Sequence, residues 1–80
     1  MVTSKLEIRY DPVADAAYIY VVPRGPGRSV ARTRFCNVEL DGAAISIDLD
    51  AVNSVLGFEI LGASKVLPAG LLTEPGSTVS

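Results

Sequence analysis

Apolar and polar residues alternate along much of the chain with the two-residue period of a β-strand. In residues 5–10, Leu6, Ile8 and Tyr10 alternate with charged side chains, which predicts a half-buried strand. Residues 16–22 are apolar on both faces, as expected of a strand that is covered on each side. We therefore predict a first hairpin whose second strand lies at the centre of a sheet.

Three more strands follow from the same alternation. Residues 31–40 are apolar in a phase that shifts by one residue near Cys36 and Asn37, which predicts a strand with a β-bulge or a bend. Residues 44–50 and 55–61 each place large apolar residues on one face, and these predict a strand pair with an inner face made of Ile45, Ile47, Leu49, Leu56, Phe58 and Ile60. The predicted fold class is mainly β, α+β at most, with about five antiparallel strands in meander order.

Turn sequences separate the strands. Asp11, Pro12 and Asp15 join the first two strands, because proline fixes φ and aspartate accepts hydrogen bonds from backbone N–H groups just after it. These three residues are therefore interpreted as turn residues. Residues 23–29 contain four proline and glycine residues and predict a loop.

The last part of the chain closes the domain. Ser64 begins a stretch that predicts a short helical turn before Pro68, and residues 63–72 are expected to cover one side of the sheet. From residue 73 onward the sequence has little to bury, so we expect a flexible tail. The organisation is a single β-rich domain over residues 1–72 with a C-terminal tail over 73–80.

Composition and charge narrow the possible functions. The chain has 80 residues and no apolar run of the roughly 18 residues that a membrane helix needs, so we expect a cytoplasmic protein without a membrane partner. The net charge of −2 argues against direct nucleic-acid binding, although four arginines border the 23–29 loop, at positions 24, 28, 32 and 34. Histidine is absent, which removes the commonest general base and the commonest zinc ligand, and Cys36, the single cysteine, has no imidazole partner that would make it a nucleophile.

Several short motifs resemble a family of small bacterial and archaeal proteins, the DUF2283 family of unknown function. The motifs are Tyr10-Asp11-Pro12, Ala14-Asp15-Ala16, Tyr18-Ile19, Ile47-Asp48-Leu49-Asp50, Gly57-Phe58-Glu59-Ile60-Leu61 and Ala63-Ser64. The resemblance implies a small β-rich fold without an established activity. Some small members look like halves of two-gene, toxin–antitoxin-like pairs, which implies a partner-binding, antitoxin-like role. Gly62 departs from the aspartate of the family pattern, and this affects how the last turn is capped.

One small acidic patch is the best candidate site. If the strands over residues 44–50 and 55–61 form a hairpin with Leu49 opposite Leu56, Asp48 lies opposite Gly57. Asp48 and Glu59 are then diagonal neighbours on the outer face, roughly 7–8 Å apart at the backbone. Two carboxylates beside a glycine form an acidic notch.

The notch has several possible uses, and a plain solvated face is one of them. It could hold a partner's arginine, bind a divalent metal ion, or pair Asp48 with Glu59 for acid–base chemistry. A metal-dependent hydrolase, or a small-ligand or metal-binding protein, is therefore the alternative function. We assign no catalytic residue, no metal ligand and no cofactor, and we expect Tyr18 and Tyr20 to be core or rim aromatics that border a partner patch.

Protein interaction is the function that the sequence favours. An 80-residue sheet with one short helical segment covers only one face well, whereas residues 16–22 need cover on both. We expect a homodimer with Tyr20 or Ile19 near its interface, and a further protein partner that orders the 23–29 loop. Open sheet edges would supply the pairing groups.

Overall fold

The computed structural model describes residues 6–72 and 78–79. Its strands form one antiparallel sheet, with β1 at Leu6–Asp11, β2 at Ala16–Tyr20, β3 at Arg32–Phe35, β4 at Ala44–Leu49, β5 at Val55–Leu61 and β6 at Thr78–Val79. The spatial order is β3-β4-β5-β2-β1-β6. The predicted mainly β fold, with about five antiparallel strands in one open sheet, is confirmed, and the two-residue β6 adds a short sixth strand.

The order of the strands is meander-like. Chain neighbours pair within β1-β2 and within β3-β4-β5, but the strand beside β2 is β5 rather than β3. Residues 21–31 cause this difference, because they carry the chain from the central strand to the far edge of the sheet. β2 lies between β1 and β5, so its predicted central position is correct.

β3 is shorter than the segment of alternation that predicted it. It ends at Phe35, and the Cys36 N–H donates the next hydrogen bond to the Ile45 carbonyl oxygen at 2.8 Å. The Val38 N–H then donates to the Cys36 carbonyl oxygen at 3.0 Å, which turns the chain away from β4. The change of apolar phase therefore marks a bend that ends the strand, and not a bulge within a longer one.

The hydrophobic core lies on one face of the sheet. Its buried members include Ala17 of β2, Ile60 of β5 and Ala63. Residues 63–72 cover this face as two short 3₁₀ turns, and Val66, Leu67 and Leu72 pack against the core. The expected cover and helical turn are thus present, as 3₁₀ rather than α-helix.

The first hairpin turn is fastened by its two aspartates. The Asp11 carboxylate accepts hydrogen bonds from the N–H groups of Val13 and Ala14 at 3.0 and 3.4 Å, the geometry expected of an aspartate before proline. Asp15 has a positive φ of 51° and bonds to Ser64, which follows the end of β5. Its carboxylate accepts from the Ser64 N–H at 2.9 Å and the Ser64 hydroxyl at 2.7 Å.

This long-range contact explains how the 3₁₀ turn is capped although residue 62 is a glycine and not an aspartate. Gly62 provides no side-chain cap for the 3₁₀ turn that follows it, so Asp15 supplies the carboxylate from the other hairpin. Gly62 itself has a φ of 69°, and a Cβ there would collide with the Gly42 carbonyl oxygen. Glycine is required at this position by both backbone conformation and space.

The C-terminal segment is described only in part. Thr78–Val79 pairs with β1 through Leu6 opposite Val79 and Glu7 opposite Thr78. Residues 73–77 and 80 lie outside the described residues, so most of the predicted flexible tail does as well. Within the described residues no helix has the length and apolar character needed to cross a membrane.

Candidate functional site

The β4–β5 hairpin brings Asp48 and Gly57 together as the sequence predicts. Asp48 is opposite Gly57, and Ser46 is opposite Glu59. The predicted pairing of Leu49 with Leu56 is wrong, because the register shifts after Asp48 and Leu49 pairs with Val55. Leu56 is the extra residue, and it forms a β-bulge next to the turn. The pairing of Asp48 with Gly57 and of Ser46 with Glu59 is therefore unaffected.

The turn explains this bulge. The Asp50 carboxylate accepts from the N–H groups of Val52 and Ser54 at 3.0 and 2.9 Å, and Asn53 has a positive φ of 66°. Asparagine tolerates the left-handed conformation better than most residues. The turn therefore closes between Asp50 and Ser54, one residue tighter than the sequence-based register assumed.

The outer face of the sheet carries rows of residues that are directly opposed across the strands. One row contains Thr33, Asp48, Gly57, Tyr20 and Glu7. The adjacent row contains Phe35, Ser46, Glu59, Tyr18 and Arg9. Because same-face neighbours alternate along each strand, side chains of one row reach those of the other on the diagonal.

Tyr18 crosses from its own row into the space above Gly57. Its hydroxyl donates a hydrogen bond to the Asp48 carboxylate at 2.6 Å. A Cβ at position 57 would lie 2.6 Å from the Tyr18 hydroxyl oxygen and 2.7 Å from the Ile19 carbonyl oxygen. Glycine at this position is therefore what allows the Tyr18 ring to reach Asp48.

The second oxygen of Asp48 is also engaged. The Thr33 hydroxyl on β3 donates to it at 2.6 Å. Asp48 thus links three strands, because Tyr18 belongs to β2 and Thr33 to β3. The carboxylate is held in one orientation by two hydrogen bonds.

Two arginines of the 23–29 loop cover the tyrosines. The Arg28 guanidinium carbon lies 5.1 Å from the ring centroid of Tyr18 and 5.2 Å from that of Tyr20, within cation–π range. The two rings are 4.6 Å apart at their centroids and inclined by 51°. Arg24 lies 5.6 Å from the Tyr20 centroid and forms an ion pair with Glu7 at 3.3 Å.

The Arg28 side chain continues the hydrogen-bond chain. Its Nη2 donates to the Tyr18 hydroxyl oxygen, which in turn donates to Asp48. Its Nε is enclosed and has no acceptor among the described residues. We call Tyr18, Tyr20 and Asp48 the tyrosine cage, with Arg28 as its occupant.

The cage keeps the Tyr18 phenol protonated. Burial of the ring, the hydrogen bond to Asp48 and the negative charge of that carboxylate together raise the pKa of Tyr18 to about 12, against the opposing effect of Arg28. At neutral pH the hydroxyl is consequently a hydrogen-bond donor to Asp48 and an acceptor from Arg28.

The predicted acidic notch is therefore only partly correct. Asp48 and Gly57 are adjacent, but the chain's own Tyr18 fills the space that the notch was expected to leave open. Glu59 is exposed and lines a shallow groove of about 310 Å³ instead, together with Arg9, Asp11, Ala16 and other neighbours. Among the described residues no group of three or more potential metal-binding side chains occurs.

The chain itself covers part of both faces of β2, whose Tyr18, Ile19 and Tyr20 remain half-buried. Ile19 packs against the core on one side, and Tyr20 lies under Arg24 and Arg28 on the other. The loop thus supplies part of a second layer over β2 through these two arginines. The placement of Tyr20 or Ile19 near a dimer interface stays a prediction.

Two residues of the site escaped the sequence analysis. The sequence marks Arg28 only as one of four arginines near the 23–29 loop, and Thr33 only as part of the strand predicted over residues 31–40. Thr33 is directly opposite Asp48, so the β3–β4 register would have identified it. For Arg28, the available indication was a pair of same-face tyrosines followed closely by arginines in a loop.

Comparison with known proteins yields one match. A family model described as "Protein of unknown function (DUF2283)" matches residues 7–64, which include the tyrosine cage and its occupant. Neither a curated protein nor a solved structure matches the chain significantly. Because the match covers most of the 80 residues, the chain belongs to the DUF2283 family.

Proposed function

We propose that this protein is a protein-interaction module that binds other chains through the free edge of β3. Among the described strands, β3 ends the sheet on one side, whereas β6 pairs with part of β1 at the other. An uncovered edge strand presents backbone groups that are ready to pair with another strand. This open edge is the single observation that carries the proposal.

The hydrogen-bond pattern identifies which groups the edge offers. Cys36 donates to Ile45, directly opposite it in the register, so Cys36 and Arg34 direct their backbone groups toward β4. In an antiparallel ladder these groups alternate, so Thr33 and Phe35 direct their N–H and C=O groups away from the sheet. The edge provides two donors and two acceptors for an added strand.

The same edge carries the largest exposed aromatic side chain among the described residues. Phe35 is 78% exposed, and the nearby Val38 and Val30 are 56% and 44% exposed. Aromatic residues are enriched at the centre of protein interfaces. A partner that pairs with β3 would remove Phe35 from water.

For self-association, the charges on β3 select one register. A two-fold pairing with Arg34 opposite Arg34 of a second copy places like charges together, which is unfavourable. A pairing with Phe35 opposite its counterpart places Arg34 opposite Cys36, and it joins both outward-facing groups of Phe35. We propose this register for the homodimer.

A heterologous partner would use the same edge in competition with the dimer. The arginines at positions 32 and 34 favour an acidic strand, consistent with the antitoxin-like role that the family resemblance implies. In this proposal the protein acts in the bacterial cytoplasm. The hydrolase alternative is not favoured, because both oxygens of Asp48 already accept hydrogen bonds.

The test is the oligomeric state of edge variants. Phe35→Lys adds a charge beside the edge, and we expect it to convert a dimer into a monomer in sedimentation-velocity measurements at about 100 µM protein. Val13→Lys is the matched control, because Val13 is 96% exposed and lies in the first hairpin turn. A wild-type chain that stays monomeric, or a dimer that survives Phe35→Lys, contradicts self-association through β3.

A further inference from the structure

The tyrosine cage has the composition of a binding site for an arginine side chain. Two tyrosine rings and a carboxylate converge on one guanidinium, and that guanidinium comes from the chain's own loop. Arginine is preferred over lysine in such a setting, because its planar group stacks on rings and donates several hydrogen bonds at once. We propose that Arg28 is a stand-in occupant, which an arginine of a partner protein replaces.

The cage does not depend on Arg28 for its shape. The Tyr18 hydroxyl is fixed by Asp48, and Asp48 is fixed by Thr33. The position of the Tyr18 ring requires the glycine at 57, which belongs to the sheet. A site whose walls are held by strands is organised before its ligand arrives.

The present occupant is imperfectly matched to the site. Arg28 Nε is enclosed without an acceptor, which is an unfavourable state for a buried donor. The direct hydrogen bond from Arg28 goes to the Tyr18 hydroxyl, and the carboxylate of Asp48 is reached only through that hydroxyl. An arginine that enters from another direction is free to choose a geometry that satisfies more of its donors.

The loop that carries Arg28 is loosely attached. Within residues 23–29 the backbone makes one hydrogen bond, from the Arg28 N–H to the Gly25 carbonyl oxygen, as far as the described chain shows. A Cβ added at Gly25 or Gly27 would meet no atom within 4 Å. The contacts described between this loop and the sheet are therefore those of Arg24 and Arg28.

A macromolecular ligand fits this site better than a small one. The cage lies on the outer face of an open sheet and not in an enclosed cavity, whereas small ligands are usually buried over most of their surface. The shallow groove lined by Arg9, Asp11, Ala16 and Glu59 begins at Tyr18. It offers room for the residues that flank an inserted arginine, with carboxylates to match further positive charge.

The experiment removes the Arg28 side chain from the tyrosine cage and measures whether an added arginine derivative binds there. In Arg28→Ala the site is vacant, and N-acetyl-arginine amide should produce saturable NMR shifts of the Tyr18 and Tyr20 ring protons. In the wild type the tethered Arg28 competes at an effective concentration in the millimolar range, so we expect binding about tenfold weaker. Arg28→Lys retains a competitor and should fall between them, which keeps the test valid if Arg28→Ala does not fold.

Controls separate this site from the β3 edge and from a metabolite site. Arg34→Ala removes an arginine outside the cage and should bind the amide no better than the wild type. N-acetyl-lysine amide should bind Arg28→Ala more weakly, and free arginine should not bind more tightly than the blocked amide. Equal binding by wild type and Arg28→Ala, or tighter binding of free arginine, overturns the proposal. The readout is independent of oligomeric state, so it stands or falls separately from the β3 proposal.

Discussion

Two tyrosine–aspartate pairs use the same contacts in different parts of the molecule. In the first, the Tyr10 hydroxyl donates to Asp15 at 2.7 Å. In the second, the Tyr18 hydroxyl donates to Asp48 at 2.6 Å. Each carboxylate also accepts a second hydroxyl, from Ser64 in the first pair and from Thr33 in the second.

The pairs differ in what else the aspartate holds. Asp15 also accepts the Ser64 N–H, and its own carbonyl oxygen accepts the Ala63 N–H at 3.0 Å, so it joins two backbone segments. Hydrogen bonds from the Ser64 hydroxyl, and next from Tyr10, lower the pKa of Asp15. In the part of the chain that the structure describes, the Asp48 carboxylate instead accepts hydrogen bonds from side chains only, and a cation lies over its tyrosine. Asp15 therefore has a structural role, because it holds two backbone segments together. Asp48 orients side chains on the outer face of the sheet, as a residue of a binding site does.

Gly57→Ala should cause the largest loss of stability among these variants. It should disturb the Tyr18–Asp48 pair and leave the Tyr10–Asp15 pair intact. The added methyl group overlaps the Tyr18 ring and the Ile19 carbonyl oxygen, so Tyr18 must leave Asp48. We expect a loss of about 3 kcal/mol in the free energy of unfolding, measured by urea denaturation. Gly27→Ala is the control with open space around it. A Gly57→Ala protein that keeps the Tyr18 ring shifts of the wild type would contradict this account.

The second prediction compares the two aspartates directly. Asp15→Ala removes the partner of a hairpin turn and of a 3₁₀ turn, so we expect the melting temperature to fall by about 10 °C. Asp48→Ala frees two hydroxyl groups that water can reach in part, and we expect a fall of about 5 °C. Scanning calorimetry of both variants decides the order. If Asp48→Ala lowers the melting temperature more than Asp15→Ala does, Asp48 is the structural residue and our distinction is wrong.

The sequence predicts the Asp48–Gly57 pairing for a local reason. Apolar residues of β4 and β5 must share one face, and a short turn leaves few registers that satisfy this condition. The register shift between Asp48 and Leu49, which leaves Leu56 of β5 without a direct partner in the register, is missed because it depends on the hydrogen bonds of Asp50 and on the backbone of Asn53. These are conformational choices within the turn that alternation does not reveal.

The occupant of the cage is harder to predict than its walls. Arg28 reaches Tyr18 because residues 21–31 cross the outer face on their way to β3, and that path depends on β2 pairing with β5. Strand order is a property of the whole chain, and periodicity within each strand does not determine it. The contact between Asp15 and Ser64 has the same origin, since it joins residues 49 positions apart.

The third prediction concerns alkaline pH. The pKa of Tyr18 is raised from 10.0 to about 12 in the folded protein, so the unfolded chain loses this proton first as the pH rises. The stabilisation is fully present below pH 10 and is lost progressively between about pH 10 and 12. Denaturation midpoints measured across this range should fall in the wild type.

Asp48→Asn tests the cause of that dependence. Burial, the largest cause of the raised pKa, remains, but the hydrogen bond to an anion and its negative charge no longer oppose ionisation, so the pKa of Tyr18 should fall part of the way toward 10. Ultraviolet absorbance of tyrosinate follows the titration, and Tyr18→Phe identifies the component that belongs to this residue. An unchanged titration in Asp48→Asn would show that burial alone raises the pKa.

The smallest expected effect on stability comes from two variants that each remove one hydroxyl group. They distinguish an aspartate that holds backbone segments together from one that orients a tyrosine side chain. Thr33→Val keeps the shape of the side chain but removes the hydroxyl that holds Asp48, and Ser64→Ala likewise removes one hydroxyl from Asp15. Each contact is exposed, so each variant should lower the melting temperature by only about 2 °C. Ser64→Ala retains the backbone hydrogen bond to Asp15, and we expect the Tyr10 ring resonances to stay in place. Thr33→Val leaves the Asp48 carboxylate held by Tyr18 but not by β3, so the Tyr18 resonances should shift although stability hardly changes. Equal behaviour of both rings would mean that Thr33 does not orient the cage.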